Sequence, residues 1–546
     1  MNTSRTTTDA GGFSRRDFFK GGVLAAVAMG GASLAGSPAA QAFATTPNNA
    51  STSANASAYA PGIDSDPYFA APAPITDIAE TQDVDVLVIG AGAAGVPCAC
   101  AAAQNGAKVA VLQKSPRVYS HGIIFAGFNA PTIVEEQGTS YTDDEIKALK
   151  AEFLELNGFG TDTALLNKFF DECGEAIDWQ IKTGNELGLQ HTFFGPKADK
   201  VAWPMQATDL NMAFAKHFED AYDVTFHYST PALQLVTDES GAVTGAIGQR
   251  EDGSFVQINA SKGTVIATGG YGGNAELIAR WLPSAVSFTN GCFPEDNTGD
   301  GALMAIWAGA DIAPLRSKKI DIRYYTDSPL RTDIEKQPFL LVNDQGHRVM
   351  KEDASEMESN GALCKEPSES GTYYNIFDAD YGAWLTSIGQ EKAILSDDDI
   401  ADYQDKVRPC LYRADSLADL AKTIGVDAAA LQATVDRNNE LAAQGYDADY
   451  YKEPENLYTI GTAPYYAMVR QYTIGGTLGA LKVNDECQVI GRKAGEPIEG
   501  LYCVGNDMGG LQTGQDYVWH DYGMTLGSGT TFGYMVGRDL ARAETL

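Results

Sequence analysis

The chain has 546 residues, of which 39 are Lys or Arg and 72 are Asp or Glu, giving a formal net charge of −33. Such acidity argues against binding to nucleic acid or to an anionic membrane surface, because both would be repelled. The eight cysteines form no CxxCH haem site and no zinc or iron–sulfur spacing, and the six histidines are scattered, so no metal site is expected.

The N-terminus carries Ser14-Arg15-Arg16-Asp17-Phe18-Phe19-Lys20, a twin-arginine pattern. A modestly apolar run from Gly21 to Gly36 follows, and Ala40-Gln41-Ala42 offers a small-residue cleavage site. This layout predicts an export signal over residues 1–42. The apolar run is shorter than the roughly 20 residues a membrane span needs. The expected destination is extracytoplasmic: periplasmic, or otherwise associated with the cell envelope. The twin-arginine route carries folded proteins, so a cofactor would be inserted in the cytoplasm. Residues 43–80, rich in Ala, Ser, Thr, Asn and Pro, read as a flexible linker.

The first structured unit opens at Val84–Ile89, an apolar strand running into Gly90-Ala91-Gly92-Ala93-Ala94-Gly95. A helix of small residues and a second strand, Lys108–Leu112, come next. Glycines in this order allow a tight turn and let backbone N–H groups approach a pyrophosphate at the helix N-terminus. The acidic residue expected about 20 positions later for the ribose hydroxyls is replaced by Gln113, whose amide can still hydrogen-bond a hydroxyl. A second strand-to-glycine turn follows at Ala267-Thr268-Gly269-Gly270-Tyr271-Gly272-Gly273-Asn274. Thr298-Gly299-Asp300-Gly301 opens another helix, and GLYCVGNDMGG (500–510) and LGSGTTFGYMVGR complete the set. Several separated glycine turns around one nucleotide fold suit a long, fully wrapped FAD. The cysteines lie mostly in apolar stretches and read as buried thiols.

Taken in order, GAGAAG, ATGGYGGN, TGDG, GLYCVGN and the terminal TFGYMVGR resemble the FAD-binding fumarate reductase / 3-ketosteroid dehydrogenase superfamily over about residues 84–542. The resemblance implies an α/β fold. A Rossmann-like FAD-binding domain would be built from two segments, 81–310 and 465–546, with an inserted α+β capping domain at 311–464 and the active site between cap and flavin. It implies FAD held by Gly90, Gly92, Ala94, Gly95, Gln113, Lys114, Ser120, His121, Gly122, Thr268, Gly269, Asp300, Asn506, Thr525 and Leu526. His121 stands near the position where membrane-bound relatives bond FAD covalently; an ordinary hydrogen bond is expected of it here.

The chain departs from the fumarate reductases where they bind their dicarboxylate. Counting on from Leu341-Val342-Asn343, the family's arginine proton donor falls on Glu356. The family's HHTMGG appears as Gln471-Tyr472-Thr473-Ile474-Gly475-Gly476, and its substrate arginine falls on His520 within QDYVWHDYG (515–523). A carboxylate prefers the arginine fork, so fumarate is not the expected substrate. The aromatic and imidazole groups suit a flat, mostly neutral molecule with a carbonyl beside a C=C bond, such as a steroid enone or a phenylpropenoid. The expected enzyme is an exported FAD-dependent reductase. Hydride would come from flavin N5, and a proton or carbonyl contact from Tyr522, Tyr472 or His520. The alternative is a 3-ketosteroid-type dehydrogenase that introduces a C=C bond and passes electrons to an external acceptor. With no haem on the chain, an electron-transfer protein is the expected partner, a cytochrome above all, its basic face meeting this acidic one.

Overall fold

The computed structural model describes residues 63–120, 122–288, 296–314, 319–324, 333–354, 359–365, 368–405, 410–513 and 523–543. Its first strand, β1 (Ile78–Ile89), ends in four consecutive buried residues, Val86–Ile89. Continuous burial is what a strand covered on both faces requires. β1 runs parallel to β2 (Val109–Leu112) on one side and to β3 (Phe255–Ile266) on the other. Beyond β2 lies Val224–His227, and beyond β3 lie Pro497–Cys503 and Gln488–Ile490. The hairpin Ala232–Thr237/Val243–Gln249 adds to the first half of β3. The large sheet therefore takes strands from both ends of the described chain. Val86, Leu87 and Val88 are fully buried, each contributing about 1.5–3 kcal/mol by area.

Helix α1 (Gly95–Gln104) joins β1 to β2. Every residue from Gly95 to Ala103 in it is buried. Small side chains are needed because the last helix packs on it at very short range. At Gly533 and Gly537 of that helix, Met524–Arg542, an added Cβ would collide with the carbonyl oxygens of Ala94 and Cys98. The buried thiols of Cys98 and Cys173 belong to the same core, and burial pushes both up to about 12. Cys98, Cys100, Cys173, Cys410, Cys487 and Cys503 are free thiols, five of them buried.

A second, antiparallel sheet has its own core, in which Phe339, Ile376, Phe377, Leu420 and Met468 are buried together. Its longest strand is Tyr465–Leu478. The first half of that strand pairs with Thr372–Asp378 and with Leu411–Ala414, and its second half with Lys319–Tyr324. The second core thus reaches past residue 464, the expected edge of the insertion, to Met468. The register shifts between the Asp321↔Gly476 and Ile322↔Ile474 pairs, leaving Gly475 as the extra residue of a bulge.

Candidate FAD and substrate site

A cavity of about 730 Å³ opens at the carboxyl ends of the parallel strands, where open α/β sheets place their ligands. Its volume lies toward the upper end of the roughly 300–1,000 Å³ typical of ligand sites. Three helix N-termini converge on it. Ala94 caps α1, Gly299 caps α2 (Asp300–Trp307) and Gly523 caps α3 (Met524–Arg542), and none of the three has a side-chain cap bond. Each helix end brings a partial positive charge to the cavity, and at α2 the Gly301 N–H is already taken by Thr268 Oγ1 at 3.2 Å. That favours an anionic ligand such as a pyrophosphate.

The glycine loop after β1 is held by other groups. Gly90 adopts φ 105°, and a Cβ there would strike the backbone of Ala267. Gly95 does not line the cavity; a Cβ there would collide with the carbonyl of Gly90. Gly92 differs from both. It lines the cavity, and the nearest atom to its ideal Cβ is the Tyr119 carbonyl oxygen at 3.4 Å. Its missing side chain leaves room for a ligand rather than for the protein.

Of the residues expected to hold the cofactor, Gly90, Gly92, Ala94, Gln113, Lys114 and Ser120 line the cavity. So do Gly122, Thr268, Gly269, Asp300, Asn506, Thr525 and Leu526. His121, His520, Tyr522 and Glu356 lie outside the described residues. Tyr472 is 8% exposed in the core, edge-on to Tyr373 with ring centroids 5.3 Å apart, and is not among the lining residues. Its strand reaches the cavity only at Gly475, Gly476 and Leu478.

Gln113 is placed differently from the expectation of a free ribose contact. Its Oε1 accepts from the Ala91 N–H at 2.9 Å and its Nε2 donates to the Arg117 carbonyl at 3.0 Å. It is a strut for the glycine loop. The sequence reading also missed Asp507. This carboxylate is fully buried and accepts from Thr268 Oγ1 at 2.8 Å and from the N–H groups of Gly269 and Gly270 at 2.9 and 3.1 Å. Burial raises its pKa, against the pull of those donors. Gly270, at φ 93°, has no room for a Cβ, which would lie 2.7 Å from the Thr477 carbonyl oxygen. Asp507 thereby shapes the second glycine turn. The signal available in the sequence was an acid inside an otherwise apolar and glycine-rich turn. Asp507→Ala would leave up to three buried donors unpaired at about 1–3 kcal/mol each. The expected result is a loss of about 3 kcal/mol or more in urea unfolding of the apoprotein, together with weakened FAD binding. An unchanged unfolding midpoint would remove this role.

The chain's residues 85–516 match the model of the FAD-binding domain. The chain belongs to that family. It is a flavoprotein of the fumarate reductase / ketosteroid dehydrogenase superfamily, and its cofactor is FAD. A probable fumarate reductase of Shewanella frigidimarina is 24% identical over 478 residues, 85% of this chain and 75% of the relative. The digoxin reductase of Eggerthella lenta is 27% identical over 585 residues, covering 98% of each protein. The fold is shared with 3-ketosteroid Δ1-dehydrogenase from Sterolibacterium denitrificans, with a TM-score of 0.64 at 20% identity, covering 85% of this chain and 100% of that one. The flavoprotein is an oxidoreductase acting on CH–CH or C=C bonds. The cradle fits the cofactor: uncapped helix ends for the pyrophosphate, a glycine with open space beside it, and a cavity long enough to take lining from both ends of the chain.

Proposed function

We propose that this flavoprotein reduces an activated C=C bond in a flat, largely neutral molecule such as an enone or a phenylpropenoid. Bound FAD supplies the two-electron chemistry. One observation carries the reading. The end of the cavity formed by Ile124, Gly475, Gly476, Leu478, Asn506, Gly523, Thr525 and Leu526 has no arginine, lysine or histidine among its described lining residues. The cations among the described lining residues, Lys114 and Arg117, belong instead to the stretch that follows Gln113. Among the described residues, nothing at that end of the cavity offers a dicarboxylate the fork it prefers. The replacement of family arginines by Glu356 and His520 supports the same conclusion.

The chain's own contribution is to hold the substrate and deliver a proton. Residues on either side of the segment 515–522 are well held. Thr513 is bound to Asn157 by two hydrogen bonds, and the Gly523 carbonyl accepts from the Ala126 N–H at 2.9 Å. Thr525 Oγ1 donates to Gln512 Oε1 at 3.3 Å, linking the described residues that precede and follow that segment. Tyr522, next to cavity-lining Gly523, is assigned the proton or carbonyl contact. His520 is assigned substrate orientation, and Tyr472 is the next candidate donor. The protein would be exported by the twin-arginine route and reduced by an external electron-transfer protein, of which a cytochrome with a basic face is the natural type.

The test is a screen of the anaerobically reduced holoprotein against enones, cinnamates and dicarboxylates, following flavin reoxidation. An enone or cinnamate should reoxidise the flavin, and fumarate should neither do so at a comparable rate nor compete. Fumarate turnover equal to that of the best neutral alkene would reverse the assignment. Oxidation of saturated ketosteroids with a dye acceptor, with no reduction of any alkene, would favour the dehydrogenase instead, which the shared fold with the ketosteroid dehydrogenase keeps as the second reading.

A further inference from the structure

We propose that Asp296 replaces the acidic residue missing after β2 and accepts hydrogen bonds from the hydroxyls of the FAD's adenosine ribose. The proposal rests on FAD being the cofactor. Dinucleotide folds place an acid about 20 residues beyond the glycine motif for this contact, and here that place holds Gln113. The side chain of Gln113 is 7% exposed, with its oxygen on Ala91 and its nitrogen on Arg117.

Two carboxylates from a distant part of the chain stand beside the residues that follow it. Asp300 Oδ2 accepts from Lys114 Nζ at 2.9 Å, and its Oδ1 accepts from Thr298 Oγ1 at 2.8 Å. Both its oxygens are therefore engaged. Asp296 Oδ2 accepts from Ser115 Oγ at 2.8 Å, while its Oδ1 has no partner among the described residues. Asp296 lines the cavity. Ser115 sits two positions after Gln113, so the bond to it brings this carboxylate to the place the missing acid would occupy. Pro231, Ala232 and Met304 line the cavity too, as an apolar surface for a flat base. Pro231 and Ala232 are tied to this end because Thr230 N–H donates to the Gln113 carbonyl at 2.8 Å and Ser229 N–H to the Ser115 carbonyl at 3.1 Å. A carboxylate accepting from vicinal hydroxyls makes charge-assisted bonds, roughly twice as strong as neutral ones. The chain thus builds the ribose contact from a segment 181 residues away from Ser115.

The test uses apoprotein of the full chain, titrated with FAD and with an FAD analogue whose adenosine ribose lacks both hydroxyls. Binding is followed by flavin fluorescence. Asp296→Ala is expected to weaken FAD binding by about 10- to 100-fold, the range for hydrogen bonds to a charged group, and to leave affinity for the dideoxy analogue unchanged. Asp296→Asn keeps the shape and the Ser115 contact and should lose less than Asp296→Ala. Melting temperatures of the apoproteins show whether each variant folds. Equal loss of FAD and analogue in Asp296→Ala, or no loss of either, overturns the proposal. A wild-type protein that takes up no FAD would remove the cofactor assignment itself, a different result from a variant that fails to discriminate the two ligands.

Discussion

Gly92→Val is expected to fold and to lose its FAD. The position lines the cavity, and the nearest protein atom to an added Cβ would be a carbonyl oxygen at 3.4 Å, an ordinary contact. The isopropyl group would occupy the space through which the loop's backbone approaches the pyrophosphate. Gly90 and Gly95 cannot serve for this test, because a Cβ at either would strike backbone atoms and disturb the loop itself. The flavin-to-protein absorbance ratio should fall to background in Gly92→Val, while the melting temperature of its apoprotein stays near that of wild-type apoprotein. A purified variant that is yellow at full stoichiometry would show that this loop does not face the cofactor's phosphates.

Tyr522→Phe should keep FAD and lose turnover. The change removes one hydroxyl and leaves the ring, so packing is preserved. Loss of a positioned proton donor costs about 10²–10⁴ in rate, whereas loss of a packing hydroxyl would leave kcat nearly intact. His520→Ala should raise KM more than it lowers kcat, since an orienting contact is made in the ground state as well as in the transition state. Steady-state kcat and KM with the best alkene, after checks of FAD content and melting temperature, separate the two roles. If Tyr522→Phe turns over at the full rate with full FAD, the donor lies elsewhere, and Tyr472→Phe is the next variant. Tyr472 sits in the core against Tyr373, so that change is also expected to show whether its hydroxyl has any role beyond packing.

Local backbone rules made much of this protein legible. Gly90, Gly92 and Gly95 between an apolar strand and a small-residue helix announce a nucleotide loop, because close approach of backbone to phosphate excludes a side chain. The further turns at Gly269, Gly299 and Gly505, each with positive φ, marked where the chain returns to the same ligand. From these the α/β fold, the FAD and most of the cavity lining could be read without coordinates. Counting along the chain from the motifs it shares with fumarate reductases puts Glu356 and His520 where that resemblance expects arginines.

What only the tertiary structure decided is which polar side chains are already committed to the protein and which are free for a ligand. A glutamine after β2 reads as a ribose contact until its amide is found between Ala91 and Arg117. Asp507 reads as part of a turn until it is found beneath a glycine motif 238 residues earlier in the chain. Tyr472 reads as a candidate donor, yet the structure places it in the core beside Tyr373 and outside the described cavity lining. A hydrogen bond is satisfied by whatever group the fold brings within about 3 Å, and groups separated by 181 or 238 residues leave no trace of that meeting in local sequence pattern. Glycine turns and apolar strands follow from short-range sterics and burial, so the chain states them outright; the assignment of each buried donor to its acceptor is a property of the packed molecule.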